Sequence, residues 1–362
     1  MADKARVRAE AARLMAGFAA RGAVEVDPPI LQPAETLLDL YGEDIRARAY
    51  TTQDPVLGEA MLRPDFTVPV VQMHMANGAE PARYTYSGEV FRAQEEATHR
   101  APEYIQVGYE LFDGTDTAEA DAEVFALVAG ALKGQGFRAA TGDIGLIIAA
   151  VNGLSTTPRR KAALMRHIWR PRRFRSLLER FAGLAPQPEG REALIATADP
   201  LDTAAPAIGL RSPVEIAERI EDLREDAAAP PICAHEVRLI SDLLSLRETV
   251  DNIAEHLHDL AVDMAALVPA VARFDARVAA LARHGVDITK LDFEGSYGRT
   301  TLEYYDGFVF GFYAEGRPDL PPVATGGRYD ALTRQLGGGR EIPAVGGVIR
   351  PELALSIVEG RA

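Results

Sequence analysis

The chain has 362 residues with a formal net charge of −14, 47% hydrophobic and 25% charged residues. This is the balance of a globular protein with a sizeable core, and it excludes a disordered or fibrous chain. One cysteine, Cys233, rules out an internal disulfide and reads as buried filler. The start has no signal-like apolar core, and no apolar run is long enough to span a bilayer, so a cytoplasmic protein is expected. The acidic total weighs against general nucleic-acid binding, which usually needs a basic face.

Residues 4–20 read as a helix, with Val7, Ala11, Leu14, Met15 and Phe18 at three- and four-residue steps and Gly22 after its end. Pro28, Pro29 and Pro33 then break the chain into extended pieces. Leu62-Arg63-Pro64-Asp65-Phe66-Thr67 leads into apolar positions of a further helix, Val68, Val70 and Val71. Arg83–Tyr86 with Glu89–Phe91, and Tyr104–Phe112, read as strands. In the second, Ile105, Val107, Tyr109 and Leu111 alternate against Gln106, Gly108 and Glu110. That alternation places Gln106 and Glu110 on one face, where a buried carboxylate calls for something cationic.

Asp116–Leu132 reads as a helix with a cap at Asp116 or Thr117 and Gly134 after it. Ile144–Ala150 reads as a buried strand. Residues 156–285 change to helical periodicity with Pro- and Ala-rich joints, and a long helical region covers about 234–284. Sheet character returns at 286–323, richest in Leu302–Ala314. The end is glycine-rich at Gly326-Gly327 and Gly337-Gly338-Gly339, then closes with a strand and a helix. With no sustained strand–helix alternation, a mostly antiparallel sheet flanked by helices fits better than a parallel one.

Eight basic residues lie within 159–175 with no acid among them: Arg159, Arg160, Lys161, Arg166, Arg170, Arg172, Arg173 and Arg175. They could form a solvated helix face, a partner-docking or anion-binding surface, or an RNA site in which Trp169 and Phe174 offer stacking faces. On sequence the stretch lies in the helical segment, away from the other motifs.

Several motifs together resemble the histidyl-tRNA synthetase family. Leu62–Thr67 resembles its Leu-Arg-Pro-Glu-Gly-Thr signature. Phe91-Arg92, followed at the family's distance by Gln106-Val107-Gly108-Tyr109-Glu110, resembles class II motif 2. Leu302-Glu303-Tyr304-Tyr305-Asp306-Gly307 resembles the first histidine signature. Gly326-Gly327-Arg328-Tyr329-Asp330, Gln335–Gly338 and Pro343–Gly346 resemble the second signature and the entry to motif 3. The resemblance covers about 1–150 and 286–362. It implies an α+β, class II synthetase-like fold. A core of 1–155 and 286–362 would carry a mainly helical insertion at 156–285. It also implies a homodimer.

The departures fall where that family does chemistry. Its motif 2 Arg-x-Glu reads Arg92-Ala93-Gln94. The arginine before the first histidine signature is Thr300, with Arg299 one place off. The motif 3 arginine falls at Leu353. The chain ends at Ala362, where an anticodon-binding domain would follow. Adenylate formation needs cationic groups against the developing charge, so these losses imply no catalysis. The groups that would hold histidine remain: Asp65, Thr67, Arg92, Gln106, Glu110, Tyr304 and Tyr305. Each also has a plainer reading: a helix cap for Asp65, a solvated strand residue for Glu110, a structural ion pair for Arg92, core packing for one tyrosine.

Among synthetase relatives of this kind, the chain resembles the regulatory subunits of ATP phosphoribosyltransferase. That resemblance implies a short-form catalytic subunit as partner, a hetero-octamer of four and four, L-histidine as ligand, and no metal or cofactor. The rivals are a truncated histidine-adenylating enzyme, which would need Arg299, and an RNA-binding paralogue.

Overall fold

The computed structural model describes residues 3–41, 45–46, 48–93, 101–198, 209–299 and 304–360. The strands, in chain order, are β1 (Val24–Glu25), β2 (Leu31–Pro33), β3 (Thr51–Asp54), β4 (Gly58–Leu62), β5 (Ala82–Phe91), β6 (Glu103–Phe112), β7 (Phe137–Asp143), β8 (Arg247–Thr249), β9 (Asp292–Glu294), β10 (Phe308–Ala314), β11 (Ala324–Arg328) and β12 (Ala344–Ile349). A large sheet runs β1-β5-β6-β12-β11-β10-β7-β9-β8, and β2-β4-β3 form a small one. Only β1–β5 and β7–β9 pair in parallel. The fold is therefore the mostly antiparallel, helix-flanked α+β architecture that the motifs imply.

Helices cover the large sheet because their apolar stripes match it. Lys4–Ala19 buries Val7, Ala11, Leu14 and Phe18. Thr117–Ala131 starts at Asp116, whose carboxylate accepts from the N–H groups of Ala118 and Glu119. It buries Val124, Phe125 and Val128 against β11 and β12, and Phe125 meets Phe310 edge to face at 5.3 Å.

The core also holds a charged knot. Arg277, on the helix Val268–Arg283, is 5% exposed and reaches Asp143 at 2.5 Å and Asp121 at 3.4 Å. Arg328, at the end of β11, donates to Asp121 at 2.9 Å. Arg277 thereby ties the last helix of the 156–285 segment to the sheet. Beside the knot lies a cavity of about 300 Å³ that also touches Asp306 and Asp330. Burial, then the charge of Asp330, pushes the Asp306 carboxyl up to about 7.

Two sequence expectations are corrected here. Ile144–Ala150 is not a strand but part of the helix Ile144–Gly153. A continuous apolar run carries no period, and Asp143 starts the helix by accepting from the N–H of Gly145 at 2.8 Å. Cys233 is exposed, not buried, because it occupies the N-cap of Ala234–Ser245 while its neighbour Ile232 enters the core. The long helical region over about 234–284 is present as the helices Ala234–Ser245, Val250–Asp263 and Val268–Arg283. It is cut at Arg247–Thr249, which adds β8 to the sheet edge, and at a 3₁₀ turn, Ala265–Leu267. Residues Leu302 and Glu303, expected as strand, lie outside the described residues, and β10 begins at Phe308.

The charged knot makes one quantitative demand. Replacing Arg277 by Met strips Asp143 and Asp121 of a shared cation inside the core. The expected loss is about 3–5 kcal/mol of unfolding free energy, as for breaking a buried ion pair from one side. Urea denaturation of the variant and the unmodified chain would measure it, and an unchanged midpoint would contradict the role given to Arg277.

Candidate functional site

The site begins with register. Across β5 and β6, Tyr86 pairs with Gly108, Tyr84 with Glu110 and Gly88 with Gln106. Gly346 of β12 pairs with Glu110, and Gly327 of β11 pairs with Gly346. Side chains alternate along a strand, so Tyr86, Gln106, Glu110 and the glycines share one sheet face. The glycines let larger groups lie across the strands. A Cβ on Gly346 would stand 1.5 Å from Glu110 Oε2. One on Gly108 would stand 2.2 Å from the Tyr86 ring, and one on Gly327 would stand 2.8 Å from the Tyr305 ring.

Glu110 is the centre of this face. It is 1% exposed. Its Oε1 accepts from Tyr86 OH at 2.8 Å and Thr67 Oγ1 at 3.1 Å, and its Oε2 accepts from Tyr329 OH at 2.5 Å. No ion pair neutralises it among the described residues. Burial pushes its carboxyl up to about 7. The three hydroxyl donors pull the other way, and the nearby charge of Asp65 adds to the rise. The plainer reading, a solvated strand residue, is thereby overturned: β6 is covered on both faces. Tyr86 and Tyr329 complete the shell of Glu110, and sequence reasoning missed both as site residues. Their signal was the demand of a buried carboxylate for donors, which Tyr86 meets from the adjacent strand.

The remaining candidates gather nearby, in differing roles. Asp65 is buried and its Oδ1 accepts from the N–H of Val68 at 3.4 Å, at the start of the helix Thr67–Asn77. It thus serves the helix start while its charge acts on Glu110, Tyr86 and Tyr305. Arg92 donates through Nε to Pro64 O at 2.9 Å, and its charge also reaches Tyr305. Gln106 is 1% exposed, and its Oε1 has no hydrogen-bond partner among the described residues. Such an acceptor is rarely left bare in a folded interior. Tyr304 and Tyr305 are both buried, with ring centroids 4.9 Å apart, and Tyr304 lies 6.1 Å from the Tyr329 ring. Burial, with the charge of Glu110, pushes the Tyr305 phenol well above its ordinary range.

Leu353, at the place of the motif 3 arginine, is an apolar residue packed against the core from the helix Pro351–Val358. Gln94 and Thr300, the other two departures, lie outside the described residues. Arg299 is buried and turned toward the 168–174 turn. Its Nε donates to Ile168 O at 2.6 Å, and its guanidinium sits 4.7 Å over the Phe174 ring. Burial lowers it to about 10. From the same turn, Trp169 Nε1 donates to Tyr305 O at 3.3 Å. The basic stretch is therefore not remote from the pocket motifs, as expected from sequence: its central turn packs directly on them. The two helices flanking the turn leave it facing inward, a placement that sequence separation conceals.

The fold and this site define a histidyl-tRNA synthetase-like protein whose motif 3 arginine is gone. A family model described as histidyl-tRNA synthetase matches residues 2–250 and 216–353. Among solved structures, a Bacillus halodurans protein described as an ATP phosphoribosyltransferase regulatory subunit/histidyl-tRNA synthetase superposes with TM-score 0.69 at 22% identity, over 99% of this chain and 82% of that one. A histidyl-tRNA synthetase from Nostoc sp. PCC 7120 gives TM-score 0.63 at 16% identity, over 98% and 72%. The ATP phosphoribosyltransferase regulatory subunit of Agrobacterium fabrum is 35% identical over 360 residues, covering 93% of each chain. That of Rhizobium rhizogenes is 34% identical over 354 residues, covering 92% of this chain and 93% of its own. The chain belongs to the family of ATP phosphoribosyltransferase regulatory subunits.

The raised carboxyl of Glu110 sets a pH dependence. The folded state holds this proton up to about pH 7, and the unfolded chain releases it near 4.5. The contribution is thus fully present below about 4.5 and is lost as pH rises through about 7. Glu110→Gln cannot ionise. The stability of the unmodified chain relative to this variant should fall between pH 4.5 and 8, by roughly 3 kcal/mol at most. Paired urea titrations would show it, and parallel pH profiles would refute it.

Proposed function

We propose that the chain is a non-catalytic regulatory subunit of ATP phosphoribosyltransferase, which catalyses the first step of histidine biosynthesis. A short-form catalytic subunit requires it for activity, and histidine inhibits the enzyme through it. Family membership supports this reading, and so do the contents of the pocket. The observation that carries it is Glu110. A buried carboxylate held by three neutral hydroxyls, with Asp65 near it, favours a cationic ligand, while Leu353 stands where the adenylating family needs an arginine.

In this reading the α-ammonium and imidazole of histidine meet Asp65, Glu110 and Thr67. Gln106 Oε1 accepts one of the ligand's donors, Tyr304 and Tyr305 wall the ring, and Arg92 meets the carboxylate. Ligand and protein donors would then share the acceptors of Glu110, and the ammonium would favour its ionised form. The subunit is a homodimer and joins the catalytic subunit in a hetero-octamer of four and four in the cytoplasm. The core of 1–155 and 286–362 carries the pocket, with 156–285 as an insertion. No helix among the described residues is long and apolar enough to cross a membrane.

Two measurements test this. The isolated chain should give no histidine-dependent exchange of pyrophosphate into ATP, and clear exchange would restore the adenylating enzyme. Mixed with the short-form catalytic subunit, it should switch on phosphoribosyl transfer, and histidine should switch it off. Glu110→Gln should weaken histidine binding by about 1.5–3 kcal/mol, the worth of a hydrogen bond to a charged group. The inhibition curve should shift about tenfold or more. Superimposed curves for Glu110→Gln, Asp65→Asn and the unmodified chain would place the inhibitor elsewhere.

A further inference from the structure

The basic stretch holds the same short pattern twice, and the fold treats the two copies differently. Pro158-Arg159-Arg160-Lys161 opens the helix Pro158–Arg166, and Pro171-Arg172-Arg173-Phe174 opens the helix Pro171–Phe181. In both, arginines crowd the first turn, which holds no acid. Positive charge there opposes the helix dipole, so each copy is locally unfavourable unless something anionic answers it.

The first copy is answered from within the chain, by the acidic helix Pro213–Ala228. Arg159 pairs with Asp222. Arg160 is buried and reaches Asp226 Oδ1 at 2.6 Å, while also donating to the carbonyls of Asp226 and Pro230. Among the described residues the second copy has no such answer. Arg172, Arg173 and Arg175 are exposed, as is Arg166 beside them, and none of the four has an ion pair among the described residues. A chain of net charge −14 has ample acid to supply one. Where a local rule is broken without internal compensation, the compensation is sought outside.

Position gives this patch a consequence. The turn between the two helices, Ile168 to Arg170, is the segment that holds Arg299 and Tyr305. Whatever binds the patch therefore lies beside the turn that hydrogen-bonds Tyr305 of the candidate histidine pocket. The aromatic residues of the stretch turn inward. Phe174 is 1% exposed beneath Arg299, and Trp169 packs on the core and bonds Tyr305. Phe174 offers no open face for a nucleic-acid base, and the half-buried Trp169 commits its indole N–H to Tyr305, so the patch suits a protein surface better than RNA.

We infer that Arg166, Arg172, Arg173 and Arg175 form the docking surface for an acidic face of the catalytic subunit. Carboxylates of that face would do for Arg172 and Arg173 what Asp222 and Asp226 do for Arg159 and Arg160. The inference rests on the proposed regulatory function and adds to it the surface through which the partner is met.

The test uses the full chain and the short-form catalytic subunit. Three forms are compared: unmodified, the triple reversal Arg172→Glu, Arg173→Glu, Arg175→Glu, and the triple lysine replacement of the same residues. Glutamates in a first turn agree with the helix dipole, so the reversed form should keep its thermal midpoint. At an ionic strength of about 0.05 M the reversed form should bind the catalytic subunit at least about tenfold more weakly. The unmodified and lysine forms should bind alike and weaken together toward about 0.3 M, while the reversed form responds little to salt. If the unmodified chain does not associate at all, the regulatory function falls and this inference with it. If all three forms bind equally with the same salt response, the regulatory function stands and the docking surface is wrong. It is equally wrong if reversal abolishes binding of a tRNA-length RNA while association with the catalytic subunit is untouched.

Discussion

A carboxylate buried without a cation is the constraint around which this structure is arranged. Glu110 lies toward the C-terminal end of β6, the strand between β5 and β12, and is 1% exposed. Ionised and unpaired in that setting it would be strongly destabilising, so the surrounding elements each contribute a donor. Tyr86 comes from β5, Thr67 from the helix that follows the Leu62–Thr67 motif, and Tyr329 from the turn after β11. Gly346 is glycine because Glu110 lies over it, and Gly108 is glycine because Tyr86 does. Motifs scattered over more than two hundred residues thus answer one local electrostatic need.

The opposite face of the sheet solves the same problem by other means. There Asp121 and Asp143 are also buried, and they are neutralised by Arg277 and Arg328. Each of these two carboxylates has an arginine within the chain, and Arg328 also pairs with Asp330, which suits a structural tie between sheet and helix. The Glu110 face is left open. Neutral hydroxyls soften the carboxylate without neutralising it, and Gln106 Oε1 stays without a partner among the described residues. The paired acids suit a structural tie, and the unpaired one is where the proposed function assigns the ligand. Two buried acid clusters in one sheet therefore have different meanings, and the difference lies in what accompanies each acid.

Much of this was legible in the sequence where a period was present. The helix over 4–20 and the strand over 104–112 show clean three-to-four and two-residue repeats, and both fold as the pattern dictates. Ile144–Ala150 failed because an unbroken apolar run has no period to read. Cys233 failed because composition predicts burial on average, whereas a cap position exposes one particular residue. At the site, Asp65, Thr67, Glu110 and Tyr305 were visible as motif residues, but Tyr86 and Tyr329 were not assigned to it. Their role comes from cross-strand register and a long-range turn, which no local pattern encodes. The contact of Trp169 with Tyr305 spans 136 residues and lies in a segment without a matching motif.

That last contact bears on how, in the proposed function, the pocket would be coupled to a partner. Coupling between two sites requires that each ligand distinguish the same pair of states. Arg299 and Tyr305 both touch the 168–174 stretch, and Tyr305 also faces Glu110's neighbourhood. Tyr305 lies over Gly327 beside Glu110, and its carbonyl is held by Trp169, while Arg299 is held by Ile168 and Phe174. A group bound against Glu110 changes the charge that Tyr305 feels, since its phenol is coupled to both Glu110 and Asp65. Any resulting shift of the Tyr305 backbone is passed to the 168–170 turn through a hydrogen bond rather than through loose packing. In the proposed function Leu353, packed against the core where the motif 3 arginine would stand, is separate from this hydrogen bond, so lost chemistry and retained coupling are compatible.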